Sequence, residues 1–136
     1  MSTLAGDSPC PCGRLNAASR PLCYAQCCGQ WLETGAPAPD AEALMRSRYS
    51  AFVLERGAYL LKTWQANTRP PEIAFDPQVK WLGLEVRKHR VLDAEHAEVE
   101  FVARQRDPGG RAVRLHELSR FVREGVCWLY VDGDQR

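Results

Sequence analysis

An α+β domain preceded by a small cysteine-rich segment is the fold class this sequence predicts, on three observations. Apolar residues between positions 40 and 65 recur at helical spacing. Beyond residue 80 they alternate with period two. Five of the six cysteines lie within the first 29 residues, where no periodicity is sustained. Helices followed by a run of strands give an antiparallel sheet with the helices packed on one face.

Residues 1–36 read as a cysteine motif and linker, and 37–136 as the α+β domain. The first part is rich in Cys, Gly, Pro, Ala and Ser, as loops are. Gly35 to Pro39 is a stiff connection, because each proline fixes φ and disfavours helix in the residue before it. Asp40 offers an N-cap, and Glu42 suits the helix dipole in the first turn. Leu44, Met45, Tyr49, Phe52 and Val53 then form one apolar stripe. Gly57 is the expected C-cap. Ala58 to Gln65 is a second expected helix, ended by Arg69-Pro70-Pro71, with one further turn expected over Glu72 to Phe75.

Trp81 to Val91 reads as a long strand, followed by a turn at Asp93 to Glu95. Ala97, Val99, Phe101 and Ala103 share a face of the next strand. Asp107-Pro-Gly-Gly110 signals a hairpin. In the strand from Ala112 to Arg123, Val113, Leu115, Glu117, Ser119 and Phe121 take one face, while His116 and Arg120 take the other. Val126 to Val131 closes the sheet, with Cys127 expected as a small buried hydrophobe.

With 18 basic and 17 acidic residues the formal charge is +1. That is a weak field for nucleic acid, and the basic residues alternate with acids rather than forming a block, so nucleic-acid binding is disfavoured. No apolar run reaches the ~18 residues of a membrane helix. The N-terminus has neither a basic nor an apolar signal region, so a cytoplasmic protein is expected. In a reducing cytosol, thiols at C-x-C and C-C read as ligands of one soft cation such as Zn²⁺ before they read as disulfides.

Leu44-Met-Arg-Ser-Arg-Tyr-Ser-Ala-Phe-Val53, Tyr59-Leu-Leu-Lys-Thr-Trp64, Trp81-Leu-Gly-Leu84, Leu115-His-Glu-Leu-Ser-Arg-Phe-Val122 and Trp128-Leu-Tyr-Val-Asp-Gly133 resemble the YchJ-like family of bacterial proteins. Cys10-Pro-Cys-Gly13 and Cys27-Cys-Gly29 resemble that family's N-terminal SEC-C motif, also found at the tail of the SecA export ATPase. The resemblance implies a cone-shaped domain like nuclear transport factor 2, whose curved sheet wraps helices around a pocket. It also implies a structural zinc ion on Cys10, Cys12, Cys27 and Cys28. Here the spacer is longer and carries Cys23, which is an alternate for Cys27 or Cys28 or else a spare thiol.

In such a pocket, Trp64, Trp81, Phe101, Trp128 and Tyr130 are candidate lining residues, with Glu117 and Ser119 as polar anchors. Glu117 stands on an apolar strand face, where a carboxylate needs partners. It is either a general acid/base or a structural carboxylate bonded to Arg46, Arg48 or Tyr49. The expected function is a zinc-binding adaptor or binding protein, leaning away from catalysis. Its zinc motif would contact another protein, by analogy a chaperone or the translating ribosome, and the chain would be a monomer or homodimer. The alternative is a small isomerase or dehydratase using Glu117.

Overall fold

The computed structural model describes residues 3–136. A 3₁₀ turn (Tyr24–Gln26) and α1 (Gly29–Leu32) close the cysteine-rich segment. Two helices follow, α2 (Ala41–Val53) and α3 (Gly57–Lys62), and then β1 (Lys80–Val91), β2 (His96–Arg106), β3 (Ala112–Glu124) and β4 (Cys127–Gln135). The strands form one antiparallel sheet in the order β1-β2-β3-β4. Among the described residues no helix is long and apolar enough to cross a membrane.

The start of α2 follows the sequence logic, since the Asp40 carboxylate accepts from the Ala43 backbone N–H at 2.7 Å. Its end does not. Glu55, rather than Gly57, takes the left-handed conformation, with φ of 55°. Arg56 N–H then reaches back to Ala51 O at 2.8 Å, closing a Schellman turn. Gly57 instead opens α3.

Helix α3 stops at Lys62, short of the expected Gln65, because the chain there joins the sheet. Tyr130 N–H donates to Thr63 O and Gln65 N–H donates to Tyr130 O, both at 2.8 Å. The expected turn of helix over Glu72 to Phe75 is absent. That stretch is irregular, and Phe75 packs edge-on against Phe52.

Helix α2 lies across one face of the sheet. Leu44, Met45 and Tyr49 are buried against Ala97, Val99, Ala103 and Phe121 in one apolar core. The same core takes in Cys10, Cys12, Tyr24, Cys27 and Cys28, so the cysteine-rich segment is packed onto the domain.

The sheet departs from strict alternation at one place that matters. A register shift at Arg120/Phe121 leaves Val131 as an extra residue of β4. Before it, Trp128 and Tyr130 face the helices. After it, Gly133 and Gln135 do, paired with Ser119 and Glu117. Cys127 is exposed. It follows the β3–β4 turn directly and points away from the face that buries its neighbour Trp128, so the expected burial does not hold.

Candidate functional site

Two groups of polar side chains flank α2. The first is the thiol cluster. Two short bridges, Pro9–Cys23 and Leu15–Pro21, pair the arms of residues 9–23. The residues between the arms form a self-contained loop, where Asn16 Oδ1 accepts from Ala18 and Arg20 N–H. The long spacer is therefore absorbed in this loop without disturbing the cysteines. Cys10 and Cys12 lie at a tight turn closed by Gly13 N–H to Cys10 O at 3.1 Å.

Cys27 and Cys28 lead into α1. Gly29 is required there, because a Cβ would stand 2.6 Å from Tyr24 O. All four cysteines are buried, and their sulfurs lie within 4.8 Å of one another, with Cys12 Sγ 3.5 Å from Cys27 Sγ. A tetrahedral ion held at ~2.3 Å sets its sulfurs ~3.8 Å apart, so the group has the size and donor chemistry of a four-thiolate metal site. Cys23 is half-buried and outside it, capping the 3₁₀ turn.

The thiols share protons. Hydrogen bonds from Cys12, Cys27 and Cys28 hold Cys10 far below the ordinary thiol range, while the same sharing, led by Cys10, pushes Cys27 and Cys28 up. A metal ion would replace those shared protons.

The second group lines a cavity of about 220 Å³ between α2 and the sheet. Its apolar wall includes Tyr49, Phe52, Trp64, Trp81, Phe101 and Tyr130. Trp128, expected on this wall, instead belongs to the core beside it. The polar end is Glu117. Its Oε1 accepts from Ser119 Oγ at 2.6 Å and Tyr130 OH at 3.2 Å, and its Oε2 accepts from Gln135 Nε2 at 3.3 Å. Ser119 is thus the expected partner that bonds to it, and among the described residues no hydrogen bond joins it to Arg46, Arg48 or Tyr49.

Gly133 makes room for this carboxylate, since a Cβ there would overlap Glu117. Arg48 also faces the cavity and is 6% exposed. It donates to Leu60 O and Thr63 Oγ1, and its guanidinium stacks on Trp64 and Tyr130. Burial draws it down to about 10, against the attraction of Tyr130, Tyr59 and Glu117. His116 pairs with Glu100 at 2.7 Å on the other sheet face, as strand alternation requires.

The sequence did not single out Gly133 or Gln135, and it offered Arg48 as a partner of Glu117 rather than as a residue of the cavity wall. Arg48 carried a signal, because it lies three residues after Met45 and one before Tyr49, on the buried side of α2. Gln135 carried none, because it faces inward only through the bulge.

A profile of the middle NTF2-like domain of YchJ matches residues 40–133. The chain belongs to the YchJ family. Similar proteins include a UPF0225 protein of a Polaromonas species, 70% identical over 129 residues and spanning 93% of each chain. Another, from Bordetella pertussis, is 56% identical over 131 residues, spanning 93% of this chain and 92% of its own. Two solved structures share the fold. A SEC-C motif protein from Psychrobacter arcticus aligns at a TM-score of 0.77 and 35% identity, over 93% of this chain and 82% of that one. A second, from Rhodopseudomonas palustris, aligns at 0.78 and 30% identity, over 93% and 98%. The YchJ profile spans α2 through most of β4, so the cavity lies within the shared NTF2-like domain except for Gln135, and the thiol cluster precedes it.

Proposed function

We propose that this YchJ-family chain is a zinc-stapled binding protein. Cys10, Cys12, Cys27 and Cys28 hold one structural Zn²⁺, and the cavity takes a small, mainly apolar ligand anchored at Glu117. The observation that carries the reading is the grouping of four buried sulfurs. Four thiolates fill the coordination shell of zinc and leave no position for substrate, so the ion staples and the cavity binds. A reducing compartment such as the cytoplasm keeps such thiols available to metal.

Metal content and thiol titration of the native protein test the staple. One zinc and four protected thiols are expected, with Cys23 and Cys127 reacting freely. Six reactive thiols in the metal-replete protein would end the reading. Tryptophan fluorescence against a fragment set tests the cavity, because Trp64 and Trp81 both line it.

The module also offers a surface for a protein partner, since Leu15 is exposed on the loop between Cys12 and Cys23. Capture by the wild type but not by Leu15→Glu supports that contact, and equal capture by both removes it.

One observation favours a second reading, proton transfer by Glu117. Among the described residues, no basic side chain lies within salt-bridge distance of it, and it faces the cavity. Chemical conversion of a bound ligand, lost in Glu117→Gln while binding persists, would select catalysis. Binding without conversion in the wild type selects the first reading.

A further inference from the structure

Helix α2 separates the two groups, and its residues divide between them. Met45, Arg48, Tyr49 and Phe52 face the cavity. Arg46 and Ser50, four residues apart and so on one face, lie about a third of a turn round the helix from the cavity-facing residues and face the thiols. Arg46 Nη1 donates to Cys12 O at 3.2 Å and lies 3.9 Å from Cys12 Sγ. Ser50 Oγ lies 3.7 Å from Cys10 Sγ, and Ser50 is fully buried. Each arm of the C-x-C pair thus meets a polar group from α2, Arg46 as donor to Cys12 and Ser50 as a hydroxyl able to donate to Cys10.

Arg46 is also held in place from behind. Its Nε donates to Glu42 Oε2 at 2.8 Å, and its side chain is 13% exposed. Arg14 and His89 approach the same carboxylate at 3.9 and 3.8 Å. A guanidinium this constrained loses little freedom when it bonds to a sulfur.

Charge gives the arrangement its purpose. Four thiolates around a divalent ion leave a net charge of about −2 in a buried setting, which is costly unless it is compensated. Among the described residues Arg46 is the basic side chain in hydrogen-bonding range of a thiol.

We propose that Arg46 and Ser50 are the outer shell of the metal centre, with Arg46 offsetting its negative charge and Ser50 donating to Cys10. Both are positioning residues, since neither touches the ion. They make α2 part of the metal site, although the sulfurs all come from outside the domain the helix belongs to. The proposal rests on the zinc reading above.

Competition between a chelator and the full-length protein loaded with Zn²⁺ or Co²⁺ tests it. Arg46→Met should weaken metal binding by about 10- to 100-fold, the range typical of outer-shell losses, and Ser50→Ala by up to about tenfold. Arg46→Lys, which keeps the charge, should recover part of the loss. In the Co²⁺ form, Arg46→Met should shift the thiolate charge-transfer band, a change that loss of packing alone would not produce. Should Arg46→Met fail to fold, Arg46→Gln and Ser50→Ala carry the test. Affinities within about twofold of wild type, with an unshifted band, would overturn the proposal and leave the staple intact. Wild type that takes up neither ion on its four cysteines would instead overturn the zinc reading itself.

Discussion

The thiol cluster and the cavity lie on two sides of one helix, yet they are built on opposite plans. The cluster draws its sulfurs from 19 consecutive residues, Cys10 through Cys28, and tight turns bring them together. The cavity draws its polar end from Arg48 on α2, Glu117 and Ser119 on β3 and Gln135 on β4, so it exists only once the sheet has formed. A local cluster of strong ligands gains its order from the ion it binds. A dispersed cavity gains its order from the fold: Arg48, Glu117 and Ser119 already have partners before any ligand arrives, while the buried Trp64 Nε1 has none. On the proposed function, one region is a fastening and the other a receptacle.

Several substitutions can break or sharpen that contrast, and removing the staple has the largest expected effect. Cys27→Ser/Cys28→Ser should abolish metal binding, which in small zinc modules is worth on the order of 10 kcal/mol. Hydrogen exchange should then show residues 8–32 and the start of α2 opening while β2 and β3 stay protected. Loss of protection across the whole sheet would mean that the two regions are one cooperative unit.

On the cavity side, Arg48→Met strips donors from Leu60 O and Thr63 Oγ1 and the cation from two aromatic faces. A destabilisation of about 1–3 kcal/mol in urea is expected, with zinc content unchanged. Zinc loss in this variant would show that the cavity wall also supports the staple.

Gly133→Ala should displace the Glu117 carboxylate, at about 1–3 kcal/mol for overpacking. Adding Glu117→Ala removes the overlapping group, so the double variant should be less destabilised than the two single changes sum to. Additive effects would mean that Gly133 serves the β4 backbone instead. The smallest effects belong to Cys23→Ser and Cys127→Ser, outside the cluster. Each should change stability by less than ~0.5 kcal/mol and leave one zinc bound.

The same contrast governs how much could be read from the chain. The helix-then-sheet order and the cysteine quartet were legible, because each is a short-range pattern: period 3.6, period two, and C-x-C with C-C. Glu117 stood out as a charge on an apolar face, and Ser119 was matched to it two residues on. Its remaining partners were not legible. Tyr130 was read as lining and proved also to be a donor, and Gln135 reaches the carboxylate only through a bulge that no local pattern announces. Trp128 was misplaced for a related reason, since period two tells which face a residue takes but not which of its neighbours leave a void. Arg46 was one of three partners offered for Glu117, while the fold turns it toward Cys12.

The bulge at Val131 has one more consequence. It separates β4 into a stretch that runs from the core to the cavity wall, Trp128 to Tyr130, and a stretch that sits against Glu117, Gly133 and Gln135. The two stretches meet only at the Glu117 carboxylate, which Tyr130 and Gln135 both approach. Replacing the exposed Gln135 with an acid, a base or a hydrocarbon would alter the polarity of the cavity rim while leaving the interior untouched. In design terms, the end of the last strand is an exchangeable cassette mounted on a fixed frame.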